Sequence, residues 1–409
     1  MKNIKVASFL VTTSALALFG CSSNSPAPAP VATPTPTPTP APAASVIVSL
    51  NTQVTVGSTV DAANGDSNPY GLTIVPTIAT PVAGSLINPG DLVVCNFNDK
   101  GGNSGAGTTI EVLTPVATGT ATPRRVAQDP SLAGCNAIAI NPGKGNIWVS
   151  AYTANDNPIF SPLGALATDL KANFNWNQPW GQIYASPTQA AGSTTPAPQA
   201  FYISQAGGAT ATTMGIGSIV QANITATGLV FNSIISGFPT QKNPTYGILA
   251  PAGLTYDPAS DTLYVVSSDT ASVLSFAKVS TIAANGVTIN YTAPTSGSGG
   301  YGSTSTPASF TFSGPNASQA KVVFTGSPLN GPVSSALLYN GDLIVGNTGD
   351  NNLVEVSPST STVVGMKNIA PAPAAAGAIF GIATSGTTLA TQKIYFNNDN
   401  TNSVVLLSQ

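Results

Sequence analysis

The chain of 409 residues has no histidine at all, only twelve basic and fifteen acidic residues, and only two glutamates, Glu111 and Glu355. Without imidazole there is no neutral nitrogen ligand for a metal, no Ser-His or Cys-His pair, and no His proton relay. General acid–base work would fall to aspartate alone. A net charge of −3 leaves no basic stripe of the kind that neutralises a phosphate backbone, so nucleic acid is excluded as a partner. Long apolar runs are also scarce beyond the first twenty residues. What is abundant is Gly (40) and Pro (34), together with Thr, Ser and Asn. That is the composition of an all-β protein with a polar, weakly charged surface.

The stretch Asn330 to Ser357 shows how the strands are laid out. An apolar run ends at Tyr339, Asn340-Gly341 follows, then Asp342-Leu343-Ile344-Val345-Gly346-Asn347, a polar loop, and the alternating Leu353-Val354-Glu355-Val356. Asn-Gly between apolar runs predicts a hairpin with a type I′ turn, both central residues having φ > 0. The same arrangement recurs at Tyr70 to Leu113, Gly134 to Tyr152, Trp180 to Ala222, Ala252 to Phe276 and Phe380 to Leu407. Self-similarity at a period of several tens of residues, each unit made of strands, indicates an array.

Six units predict a six-bladed β-propeller over residues 45–409, with a seventh blade conceivable in Ala283 to Thr325. Three long insertions are expected, at Thr153 to Asn177, Ser186 to Gln199 and Ala283 to Asn330. The apolar-alternating segment Val46 to Val56 reads as one or two strands. The last unit ends after its third strand, so this segment is expected to complete the final blade, because an open ring would leave unpaired edges.

With Gly253-Leu254-Thr255-Tyr256-Asp257-Pro258, Leu263-Tyr264-Val265 and Val345 to Val356, the unit resembles the NHL repeat of β-propellers. The resemblance implies a fold and leaves the activity open. Calcium-dependent lactonase propellers imply a Glu, Asn and Asp at the channel mouth, and no first strand here carries a Glu. Virginiamycin-lyase propellers imply a His, which this chain lacks. No catalytic residue, metal ligand or cofactor is therefore assigned.

Residues 1–20 have the plan of a secretory signal: Lys2 and Lys5, an apolar stretch from Val6 to Leu18, then Leu18-Phe19-Gly20-Cys21. The tetrad resembles the bacterial lipobox, which implies a lipid-modified Cys21 and a membrane partner, and Ser22 points to the outer membrane, on its periplasmic or surface face. Residues 21–44 alternate Pro with Thr and Ala, favouring a semi-rigid polyproline II tether. Cys95 and Cys135 remain. In an exported protein an even pair, one ending a second strand and the other opening the next unit, is expected to form a disulfide between neighbouring blades.

Both glutamates lie midway along third strands and read as outward, solvated positions. Asp and Asn recur after the second strands (Asn96, Asn98 and Asp99; Asn155, Asp156 and Asn157; Asp269; Asp350, Asn351 and Asn352; Asn397 to Asn400), which is turn chemistry first and a calcium site second. Aligning the first strands puts Tyr70, Asn136, Trp180, Ala252, Ser334 and Phe380 at one end of the channel. Tyr70, Asn136, Trp180 and Phe380 are the candidate ligand-binding residues there, for a glycan, peptide, small molecule or envelope protein. The leading expectation is a binding or scaffolding module. The alternative is an Asp-based lyase or hydrolase, with or without calcium, whose site is at the channel mouth.

Overall fold

A computed structural model describes residues 44–409 apart from 211, 244–246, 249–250, 294–308 and 371–373. The expected signal, Cys21 and nearly all of the expected tether lie outside the described residues. Six sheets, antiparallel except for one parallel pairing in the third, form a six-bladed β-propeller. Blade 1 holds Ser67–Ile74, Leu92–Asn98, Thr109–Leu113 and Arg124–Gln128. Blade 2 holds Cys135–Ile140, Ile147–Ala151, Ile159–Phe160 and Leu166–Thr168. Blade 3 begins with Pro179–Ala185, Gln199–Gln205, Gly215–Thr225 and Gly228–Thr240. Blade 4 holds Leu254–Asp257, Thr262–Ser267, Ser272–Phe276 and Ala320–Thr325. Blade 5 holds Pro332–Leu337, Leu343–Asn347, Asn352–Ser357 and Thr362–Asn368. Blade 6 holds Ile379–Ser385, Lys393–Asn398 and Ser403–Ser408, with Thr52–Ser58 as its outermost strand.

The alternation of side chains along each strand puts apolar residues on both faces, and each face is buried against a neighbouring blade. Val93 and Ile110 of blade 1 meet Ile138 and Val149 of blade 2. Trp148 of blade 2 stacks on Phe201 of blade 3 at 4.0 Å. Tyr202 and Ile219 meet Leu254 and Leu274, Val266 and Val273 meet Val345 and Val354, and Ile344 and Leu353 meet Phe396 and Val405. Val404 and Tyr395 return to Leu72 and Val94. One apolar interface thus separates each pair of adjacent blades, and the ring closes on blade 1.

Several expectations change. Among the described residues no seventh blade forms between 283 and 325: Val287–Thr292 and Ser309–Ser313 extend blade 3 to six strands, and Ala320–Thr325 is the fourth strand of blade 4. The stretch expected as an insertion after Tyr152 carries the two short outer strands of blade 2. The segment 46–56 divides, because Val46–Ser49 is a short helix and only Thr52–Ser58 is extended. The Asn340-Gly341 hairpin forms, but only Gly341 has positive φ (85°). Gly341 N–H donates to Leu338 O and Leu338 N–H to Asp342 O, so a type I turn with a bulge at Gly341 replaces the type I′ turn.

Both glutamates, expected to face solvent, are buried. Glu355 accepts from Ser45 Oγ at 2.6 Å and from the N–H groups of Val46 and Ile47 at 3.1 Å. Glu111 hydrogen-bonds Asp61, which is paired with Arg125 Nε at 2.6 Å. In both blades the N-terminal segment lies over the third strand and supplies the partner that a buried carboxyl requires: hydroxyl and N–H donors for Glu355, and for Glu111, whose proton burial and Asp61 retain, the accepting carboxylate of Asp61.

Candidate functional site: the axial channel

The first strands of all six blades line the axis. In five of them the register shifts at the same place, between Pro69 and Gly71, Cys135 and Ala137, Pro179 and Gln182, Pro332 and Ser334, and Ile379 and Ile382. A bulge leaves its extra residue out of the ladder and re-aims its side chain. The bulged residues include Tyr70, Asn136, Trp180, Val333 and Phe380, with Ala252 at the equivalent place in blade 4. Val333, and not Ser334, therefore completes the ring. Ser334 takes the next position, held elsewhere by Gly71, Ala137, Gly181, Gly253 and Gly381. Small residues are required there by close approach: an added Cβ at Gly253 would lie 2.8 Å from the Ser334 carbonyl carbon, and at Gly71 3.1 Å from Ala137 Cα.

The ring residues meet one another across the axis. Tyr70 is stacked between Phe380, at 3.8 Å, and Phe97, at 4.2 Å. Trp180 leans on both Tyr70 and Phe97 and receives the edge of Tyr152 at 5.5 Å. Tyr70, Phe97, Trp180 and Phe380 are only 6–8% exposed and pack with Ala206, Ala252 and Val333, so they form an apolar plug. Asn136 sits beside them, its amide nitrogen donating to Ser150 O at 3.2 Å and to Gly134 O.

Polar groups lie against this plug. Asn68 has φ of 68°, and its amide nitrogen donates to Asp399 Oδ2 at 2.7 Å while its oxygen accepts from Asn98 Nδ2 at 2.9 Å. Burial pushes the half-buried Asp399 carboxyl up to about 7. The Tyr70 phenol is raised well above its ordinary value by burial and then by the Asp399 charge. Asp269 and Asp156 are likewise pushed up by burial, to about 7 and about 6, but they belong to blades 4 and 2. Among the described residues no three acidic or cysteine side chains gather as a metal site. The loop aspartates and asparagines mostly serve turns: Asp99 accepts from Gly101 N–H, Asp350 from Asn352 N–H, and Asp156 from Asn157 N–H.

Beyond the plug the channel is narrow, a cavity of about 70 Å³ between the ring and Leu72, Ile138, Gln182, Leu254, Ser335 and Ile382. It then widens to about 370 Å³ among Thr73, Ile74, Tyr184, Tyr256, Leu337 and Thr384. None of the described residues lining either segment is charged. Several of the hydroxyls are already engaged: Thr255 Oγ1 with Ser335 Oγ at 2.7 Å, Thr384 Oγ1 with Leu337 O, and Tyr256 OH with Asp261 at 3.0 Å.

Gln182, Thr255, Ser335, Tyr184 and Tyr256 were not read from the sequence as channel residues. The available signal was a polar Gln182 and Ser335 at a repeat position where the other units have Leu or Ile. Cys95 and Cys135 are joined as a disulfide across blades 1 and 2, with Cα atoms 5.9 Å apart.

No protein-family model matches the chain, and no curated protein matches it. Among solved structures it is similar to a chain of the nidogen/laminin complex (11% identity, 82% of this chain and 98% of that one, TM-score 0.48). It is also similar to a streptogramin B lyase (12% identity, 87% and 97%, TM-score 0.46) and to a gluconolactonase of Xanthomonas campestris (10% identity, 87% and 88%, TM-score 0.49). At such identities the likeness concerns the fold alone.

Proposed function

We propose that the chain is an exported bacterial lipoprotein, held to the outer membrane by lipid on Cys21 and by the Pro/Thr tether, whose NHL-like propeller binds an uncharged ligand in its axial channel. The observation that carries this reading is the asymmetry of the channel. One end is filled by the stacked Phe380, Tyr70 and Phe97, and the rest opens into about 370 Å³ of apolar and hydroxyl-bearing wall without a charge. That volume is within the usual range for a small-molecule pocket, roughly 300–1,000 Å³. In this reading Tyr70, Asn136, Trp180 and Phe380 form the floor that a ligand entering from the wide end meets.

A second reading is favoured by one observation, the pairing of Asp399, pushed up to about 7, with Asn68 beside Tyr70. A carboxyl poised near neutrality is suited to general acid–base catalysis, so an Asp-based lyase or hydrolase would work from the plugged end. Thermal unfolding of the full chain, with and without EDTA and across neutral glycans, peptides and apolar small molecules, separates the two. A ligand that binds only the folded state raises the melting temperature. A rise with one neutral class and no EDTA effect supports the binding module. A fall with EDTA that calcium reverses supports the enzyme.

A further inference from the structure

The Gln182 amide is oriented by a chain of constraints that ends in an unpaired donor. Asn157 Nδ2 donates to the backbone carbonyl of Val149 at 2.8 Å, and since a carbonyl can only accept, the Asn157 amide cannot be turned round. Asn157 Nδ2 also donates to Gln182 Oε1 at 2.6 Å, and Ser150 Oγ donates to the same oxygen at 2.9 Å. Turning the Gln182 amide would set nitrogen against nitrogen, so Oε1 stays where it is and Nε2 takes the remaining direction. There Nε2 is buried and has no acceptor. Gln182 is 6% exposed and lines both the narrow and the wide segment of the channel. Leaving a buried donor unsatisfied costs about 1–3 kcal/mol, and at the equivalent position Leu72, Ile138, Leu254 and Ile382 avoid that cost.

We propose that Gln182 is the polar anchor of the channel: its Nε2 donates to a carbonyl or hydroxyl oxygen of an uncharged ligand, seated in the narrow segment, while the ligand's apolar body lies in the wide segment near Tyr184 and Tyr256. This rests on the reading of the channel as a binding site. The narrow segment is small enough to admit an oxygen and few other atoms, which makes the anchor selective for a terminal acceptor. Apolar walls then take the body without demanding further hydrogen bonds.

The test uses a matched pair of probes, acetophenone and α-methylstyrene, which share a shape and differ in one atom group, C=O against C=CH₂. Binding to the full-length protein is measured by ligand-observed NMR titration, for the wild type and for Gln182→Leu, a residue that blades 1 and 4 already carry at this position. The expected result is a preference of the wild type for acetophenone of roughly 3- to 10-fold, the range of one net hydrogen bond, and no preference in Gln182→Leu. Equal binding of both probes to the wild type, or a preference that survives Gln182→Leu, overturns the anchor and leaves the channel reading standing. Binding of neither probe removes the channel reading and the anchor with it.

Discussion

Glu355 and Ser45 lie 310 residues apart in sequence, and their side chains meet at 2.6 Å. The Glu355 carboxylate takes the Ser45 hydroxyl and the first two N–H groups of the helix Val46–Ser49, so a third strand of blade 5 caps the element that opens the propeller. The capped helix buries Val46 and Ile47 against Ile344, Leu353 and Ile379. The chain then pairs along blade 6 and ends over blade 1, where Asp61 meets Arg125 and Glu111. The N-terminal segment therefore fastens three consecutive blades.

Glu355→Gln keeps the size of the side chain but removes its charge and turns one oxygen into a donor facing N–H groups. Charge-assisted hydrogen bonds contribute about 1.5–3 kcal/mol each, and an unmatched buried donor adds to the loss. The expected cost is about 2–4 kcal/mol of unfolding free energy, read as a lowered urea midpoint with unchanged slope. A change within about 0.5 kcal/mol, the scatter of ordinary surface substitutions, would contradict the cap.

Deleting residues 45–58 strips blade 6 of the strand that pairs from Thr52↔Ser408 to Ser58↔Ser403 and exposes the edge of Ser403–Ser408. Aggregation or loss of the cooperative melt is expected, because an uncovered strand edge is a template for intermolecular pairing. Deleting residues 22–44 is expected to leave the melting temperature unchanged. Size-exclusion chromatography and a thermal melt of both deletions check this, and a monomeric, cooperatively melting 45–58 deletion would contradict it.

The blades were legible in the sequence because each repeats a local signal, an alternating strand followed by a Gly, Asn or Asp turn, that needs no distant partner to be recognised. The meeting of Tyr70, Trp180 and Phe380 could be read from aligned repeats for the same reason. What escaped depends on chain segments far apart. Glu355 looks like any outward residue of a strand until Ser45 arrives to satisfy it. The bulges that aim Tyr70 and Phe380 at the axis are properties of strand pairing, and a single missed residue in that pairing placed Ser334 where Val333 belongs. Gln182 was hidden in a weak copy of the repeat, and its meaning comes from Asn157 in the neighbouring blade.

The disulfide between Cys95 and Cys135 closes a loop of 40 residues and ties the second strand of blade 1 to the first strand of blade 2. In the loop-entropy account a cross-link of that span stabilises by about 4 kcal/mol. The double variant Cys95→Ser/Cys135→Ser is expected to lose about 2–4 kcal/mol while keeping its β circular-dichroism signal, since the surrounding Val93, Ile110 and Ile138 still pack. Equal denaturant midpoints for the double variant and the oxidised wild type would show that the bond adds nothing.

The carboxyls make the protein's stability run against the usual pH trend. Glu111 is pushed up to about 9 by burial and by the hydrogen bond and charge of Asp61, and burial raises Asp269 and Asp399 to about 7 and Asp156 to about 6. Each of these groups keeps its proton in the folded state at pH values where the unfolded chain has released it. Their contribution is complete below the ordinary carboxylate range and is lost as pH climbs through the raised values. Asp61 acts in the opposite sense: burial would raise it, but the Arg125 guanidinium, the Glu111 hydrogen bond and the N–H groups of Asn64 and Ala63 together outweigh burial and hold it below its ordinary value. Its contribution is present above the ordinary carboxylate range and fades only in stronger acid. Stability is therefore expected to peak in mild acid, near the ordinary carboxylate values, and to fall from pH 5 to pH 8. A melting temperature several degrees higher at pH 5 than at pH 8, with the difference reduced in Glu111→Gln, is the expected result. A melting temperature that rises from pH 5 to pH 8 would mean that these carboxyls are ionised in the folded protein.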